Sequence, residues 1–216
     1  MLAVIVVRDG VLPAGAHETI SECDGNVMLV GSGTQAAAAD VQHVAARVTE
    51  FEVGDFHPAA WSESLAAHLT DEQMVVLPAS PDGRDLAPRL AAELHRPLYA
   101  VAMGVSPTRI DLVRRGGTEL HRLEPPAAFV ATLQPGVRGV DHIDAATTTH
   151  TLTSAPTECN DATIERLLPP DAATIDLSEA DRIVAGGAGL DDPRRFDQLA
   201  ELAGAMRARV GATRVI

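Results

Sequence analysis

Lysine is absent from the 216-residue sequence, so all 17 basic residues are arginine, and they face 30 acidic residues for a net charge of −13. A nucleic-acid binder is expected to carry a basic face, and this balance argues against that class. Aromatic side chains are scarce, six in all. The core must therefore be built from Ala, Val, Leu and Ile, as layered α/β packing permits. The two cysteines, Cys23 and Cys159, belong to no Cys-x-x-Cys or Cys/His cluster, which argues against a disulfide framework and a structural zinc site. Long apolar runs are missing as well. The run Leu2–Val7 is too short for a signal-peptide core and far short of a bilayer span, so a cytoplasmic protein without membrane insertion is expected. The sequence lacks His-Glu-x-x-His and Gly-x-Ser-x-Gly patterns and offers no singled-out carboxylate pair, so nothing nominates a metal ligand or a catalytic residue. The histidines, His121, His142 and His150 among them, are taken as surface or structural residues.

What is present is 46% apolar composition, enough to bury the core of one large or two small domains. Leu2–Val7, closed by Arg8-Asp9-Gly10, predicts a strand buried on both faces. Val27–Val30 predicts another, stopped by Gly31-Ser32-Gly33, and behind it Ala37, Val41, Val44 and Val48 recur at helical spacing. A short strand is expected at 51–53. Pro58 then opens a helix carrying Trp61, Leu65 and Leu69 on one face. Met74–Leu77 predicts the next strand, residues 78–83 break it, and Leu86, Leu90 and Leu94 mark a helix ahead of a strand at 98–103. This alternation implies an α/β fold, a Rossmann-like parallel sheet with helices on both faces. Short strands at 118–123, 128–133 and 148–153 are expected to extend the same sheet. The polar, proline-containing stretch 154–176 has the composition of an interdomain connection, giving a first domain at 1–177 and the beginning of a second at 178–216. There, strand 182–185, turn Gly186–Gly189, N-cap Asp192 and helical Phe196, Leu199, Ala203 and Met206 follow one another. Gly211 is the expected helix stop, and 213–216 begins a further strand.

Three segments have the residue types of a ligand site. Gly31-Ser-Gly-Thr-Gln-Ala36 fits the G-x-G-x-x-G/A spelling of a dinucleotide turn, with Glu50 nineteen residues after Gly31, though it follows the second strand rather than the first. Gly186-Gly-Ala-Gly189 is the better cofactor turn, because small residues let a ligand approach the backbone at a helix N-terminus. Thr213 and Arg214 add a hydroxyl and a guanidinium after the next strand. Pro81–Arg89 combines a turn, Asp82 as N-cap and two arginines, a pattern of capping and surface charge first and of an anion or partner-chain site second.

Taken in order, four stretches resemble the electron transfer flavoprotein alpha subunit. Met74–Ala91 resembles the family's strand, Gly-Arg-Asp-Leu-Ala-Pro-Arg turn and helix. Arg114–Gly117 with Ala128–Gly136 resembles its paired strands. Leu177–Leu190 is similar to the motif that opens its second domain, and Val210–Arg214 to its Gly-Ala-Ser-Arg motif. Within the family the chain resembles the branch associated with mycofactocin. The resemblance implies one half of a heterodimer whose beta subunit binds AMP, with FAD held mainly by the alpha subunit's second domain. It also implies a carrier that moves electrons from dehydrogenases to an acceptor and is not an enzyme with its own substrate. Residue by residue, Gly186, Gly187 and Gly189 would form the turn beside the flavin, while Thr213 and Arg214 would contact it. Ala188 departs from the arginine of the family's glycine motif, and the family's later FAD-binding segments have no counterpart before Ile216. The expectation is therefore an incomplete FAD domain. Two competing readings stand beside this one: an NAD-linked oxidoreductase domain using Gly31–Ala36, and a flavin-free partner-binding module.

Overall fold

Strand β1 (Leu2–Val7) is buried at every position because its alternate side chains enter two separate cores. Ala3, Ile5 and Val7 pack with Ile20 of helix α1 (Ala16–Glu22), Ala37 and Ala38 of α2 (Thr34–Asp40), and Val41 and Val44. Leu2, Val4 and Val6 pack on the other face with Trp61, Leu65 and Leu69 of α3 (Pro58–Leu69) and Leu86 and Leu90 of α4 (Pro81–Glu93). The continuous apolar run is thus the signature of a central strand between two helical layers. The computed structural model describes residues 1–144, 146–152, 161–162, 165–166, 177, 180–190 and 192–212.

The remaining strands of the large sheet are β2 (Asn26–Gly31), β3 (Arg47–Glu52), β4 (Met74–Pro78), β5 (Leu98–Val105), β6 (Ile110–Arg114), β7 (Glu119–Leu123), β8 (Phe129–Leu133) and β9 (Thr148–Leu152). Their order is β7-β6-β5-β8-β4-β1-β2-β3-β9. All neighbours are parallel except β5/β6 and β6/β7. The chain runs outward from β1 to β3 and then returns to the other side of β1 with β4. A topological switch point therefore lies between β1 and β4, where sheets of this kind receive ligands. The chain divides into two compact units, Met1–Ala162 and Thr163–Ile216. The second contains β10 (Ile183–Gly186), α5 (Pro193–Ala205) and β11 (Arg209–Ala212), its two strands parallel. Among the described residues no helix is long and apolar enough to cross a membrane.

The α/β architecture and the strand positions agree with the sequence expectation, with definite corrections. Helix α2 ends at Asp40, and the strand expected at 51–53 is β3, which runs from Arg47 to Glu52 with Val48 inside it, because the alanine-rich run gives way at Val41 to a turn that returns the chain to the sheet. Helix α1 was not expected: it starts at Gly15 in a left-handed conformation with no polar cap and spans only seven residues, so it leaves no periodic run. Strand β6 was also unforeseen, since only Ile110 and Leu112 of its five residues are buried. Strand β8, expected as an extension, is central, inserted between β4 and β5. In the second unit Gly211 lies inside β11 and stops no helix; α5 ends at Ala205, with Met206 as its C-cap and Arg207 at positive φ. The connection at 154–176 lies largely outside the described residues, as do Ser178 beside the expected boundary and the expected strand at 213–216.

Candidate functional site

At the carboxyl end of β2, Gly33 opens α2 with a φ of 73°, and a Cβ there would lie 2.5 Å from the backbone nitrogen of Gly10. Glycine is required at this position by the close approach of two loops. The donors that a dinucleotide's pyrophosphate would use are already engaged. Glu52, at the end of β3 and in register with Gly31, accepts from the Gly33 N–H (2.9 Å), the Thr34 N–H (2.9 Å) and the Thr34 hydroxyl (2.8 Å). Desolvation pushes the Glu52 carboxyl up, but these three bonds prevail and hold it below the usual carboxylate range. The turn Gly31–Ala36 therefore carries its own carboxylate where an NAD phosphate would sit, and the nicotinamide reading falls on that geometry. The acid at work is Glu52 rather than Glu50.

The switch point is closed in the same manner. Arg8, at the end of β1, donates to both carboxylate oxygens of Asp82 at the start of α4, at 2.5 and 2.6 Å, and its guanidinium lies 4.6 Å from the Phe56 ring centroid. The N-cap of α4 is Ser80, whose hydroxyl accepts from the Gly83 N–H at 3.2 Å, so the expectation that Asp82 caps this helix is corrected. Helix α3 has no cap from His57. Asp161 supplies one, accepting from the N–H groups of Ala59 (2.7 Å) and Ala60 (3.2 Å). Three helix starts at this end of the sheet are thus occupied by side chains of the chain itself. Cys23 is buried, which pushes its thiol up and leaves it inert near neutral pH, whereas Cys159 lies outside the described residues.

In the second unit the residues of the glycine turn divide by environment. Gly186 ends β10 in register with Ala212 of β11, and it is buried: a Cβ there would lie 2.5 Å from Leu190 Cδ1 and 3.0 Å from Leu199 Cδ2 and Phe196 Cε1. Its lack of a side chain lets α5 dock. Gly187 is half-buried, Gly189 is exposed, and among the described residues a Cβ at Gly189 would meet nothing within 4 Å. The turn is therefore exposed at Ala188 and Gly189, while the Gly187 carbonyl accepts from the Leu190 N–H at 2.9 Å. The start of α5 is capped, because Asp192 accepts from the Arg194 N–H at 2.9 Å. A phosphate on the α5 terminus would meet the Asp192 carboxylate. Thr213 and Arg214 lie outside the described residues. No group of three His, Cys, Asp or Glu among the described residues is arranged to hold a metal ion.

Two sequence models match the chain: the electron transfer flavoprotein domain over residues 3–158 and the electron transfer flavoprotein FAD-binding domain over residues 176–216. The chain is similar to the electron transfer flavoprotein subunit alpha of Bacillus subtilis, 28% identical over 96% of this chain and 70% of that protein. It is also similar to the putative electron transfer flavoprotein subunit YdiR of Escherichia coli, 30% identical over 72% of this chain and 53% of that protein. The electron transfer flavoprotein subunit alpha of Syntrophomonas wolfei is 27% identical over 96% of this chain and 71% of its own length.

Proposed function

Because the chain belongs to the electron transfer flavoprotein family, we propose that it works as an alpha-type subunit of an electron carrier, with FAD as cofactor and a beta-type subunit as partner. In this reading the partner carries AMP, dehydrogenases supply the electrons, and the pair works in the cytoplasm. Bound FAD would supply reversible electron storage, so the protein moves electrons and transforms no substrate of its own. The observation that carries the reading is the pair of family matches, over 3–158 and 176–216, together with a glycine turn exposed at Ala188 and Gly189. The turn's task is to let the ring approach the backbone. Gly186 supports it from behind by admitting α5. Thr213 and Arg214 are assigned the hydroxyl and the guanidinium that orient the flavin and favour the negative charge that reduction adds.

The filled helix starts of the first unit agree with a division of labour in which Met1–Ala162 is scaffold and partner surface while the ligand contacts belong to the second unit. A second reading, a flavin-free partner-binding module, is favoured by the Asp192 carboxylate at the start of α5 and by Ala188 in the turn. The visible absorption spectrum of the protein, purified gently from its own cells with whatever subunit accompanies it, separates the two. A flavin spectrum with a second subunit is expected. A colourless heterodimer would replace the carrier reading with the module. In the coloured complex, Arg214→Ala should lower flavin retention, and unchanged retention would remove Arg214 from the site.

A further inference from the structure

We draw no further inference here: the strongest candidate, the apolar surface of the β5–β6–β7 extension at the edge of the large sheet, where Val101, Met103 and Leu120 are exposed, carries nothing because no observation in the structure shows what covers it.

Discussion

At the scale of single residues, the Glu52 carboxylate decides what the glycine turn after β2 can do. Its three acceptor contacts satisfy the donors that begin α2, and they make the turn a closed structural joint. Because the folded-state carboxyl is held below its ordinary value, its stabilising contribution is complete above the unfolded value of about pH 4.3 and is lost as pH falls through the lower folded value. Glu52→Gln is therefore expected to destabilise the protein at pH 7 by about 1 kcal/mol, a figure kept small because the group is partly in solvent. The gap between variant and wild type should narrow as the pH is lowered toward 3. Urea denaturation of both proteins at pH 7 and pH 3.5 measures it, and a gap that is constant with pH would show that the charge of Glu52 does not support the turn.

At the scale of elements, periodicity identified strands and helices whose apolar residues repeat, and it failed where geometry replaced repetition. β1, β4, α3 and α4 were legible because Leu2–Val7, Met74–Leu77 and the Trp61/Leu65/Leu69 and Leu86/Leu90 series each face a core continuously. α1 and β6 were not, since Gly15 starts one without a polar cap and the other buries two residues of five. The candidate site was half legible. Composition marked Gly186–Gly189 as a candidate cofactor turn, but only packing separates Gly186, pressed against Leu190, Leu199 and Phe196, from Gly189, beside which a Cβ would meet none of the described residues. The same spelling thus hides two tasks. Gly186→Val should strain the docking of α5 by about 1–3 kcal/mol and speed amide exchange along α5, whereas Gly189→Ala should leave that exchange unchanged. In a flavin-loaded complex the order reverses, with Gly189→Ala lowering flavin content at unchanged exchange. Equal effects of the two variants on α5 exchange would mean that the packing contacts do not distinguish them.

At the scale of the whole molecule, a carboxylate near the end of the first unit, Asp161, ties that end back to the sheet. Asp161 stands next to the end of Met1–Ala162, yet it caps α3, which begins about a hundred residues earlier, so the last residues of the unit are tied to the same end of the sheet as the joints at Glu52 and Arg8. Desolvation pushes the Asp161 carboxyl up, but the N–H groups of Ala162, Ala60 and Ala59 and the charge of Arg89 outweigh it and hold it below the usual range. The sign follows directly. The tie is complete above the unfolded value of about pH 3.9 and is lost as pH falls through the lower folded value. Asp161→Ala should raise the exchange rates of the Ala59 and Ala60 amides about three- to tenfold at pH 7 and speed tryptic cleavage after Arg166, while β1 amides stay protected. Lowering the pH of the wild type through the folded value should reduce the protection factors of Ala59 and Ala60, the exchange rate being normalised to the intrinsic rate at each pH, and it should add nothing further in the variant. If the variant exchanged and was cleaved like the wild type at pH 7, the chain's exit would be held by packing alone and the Asp161 cap would carry no share of it.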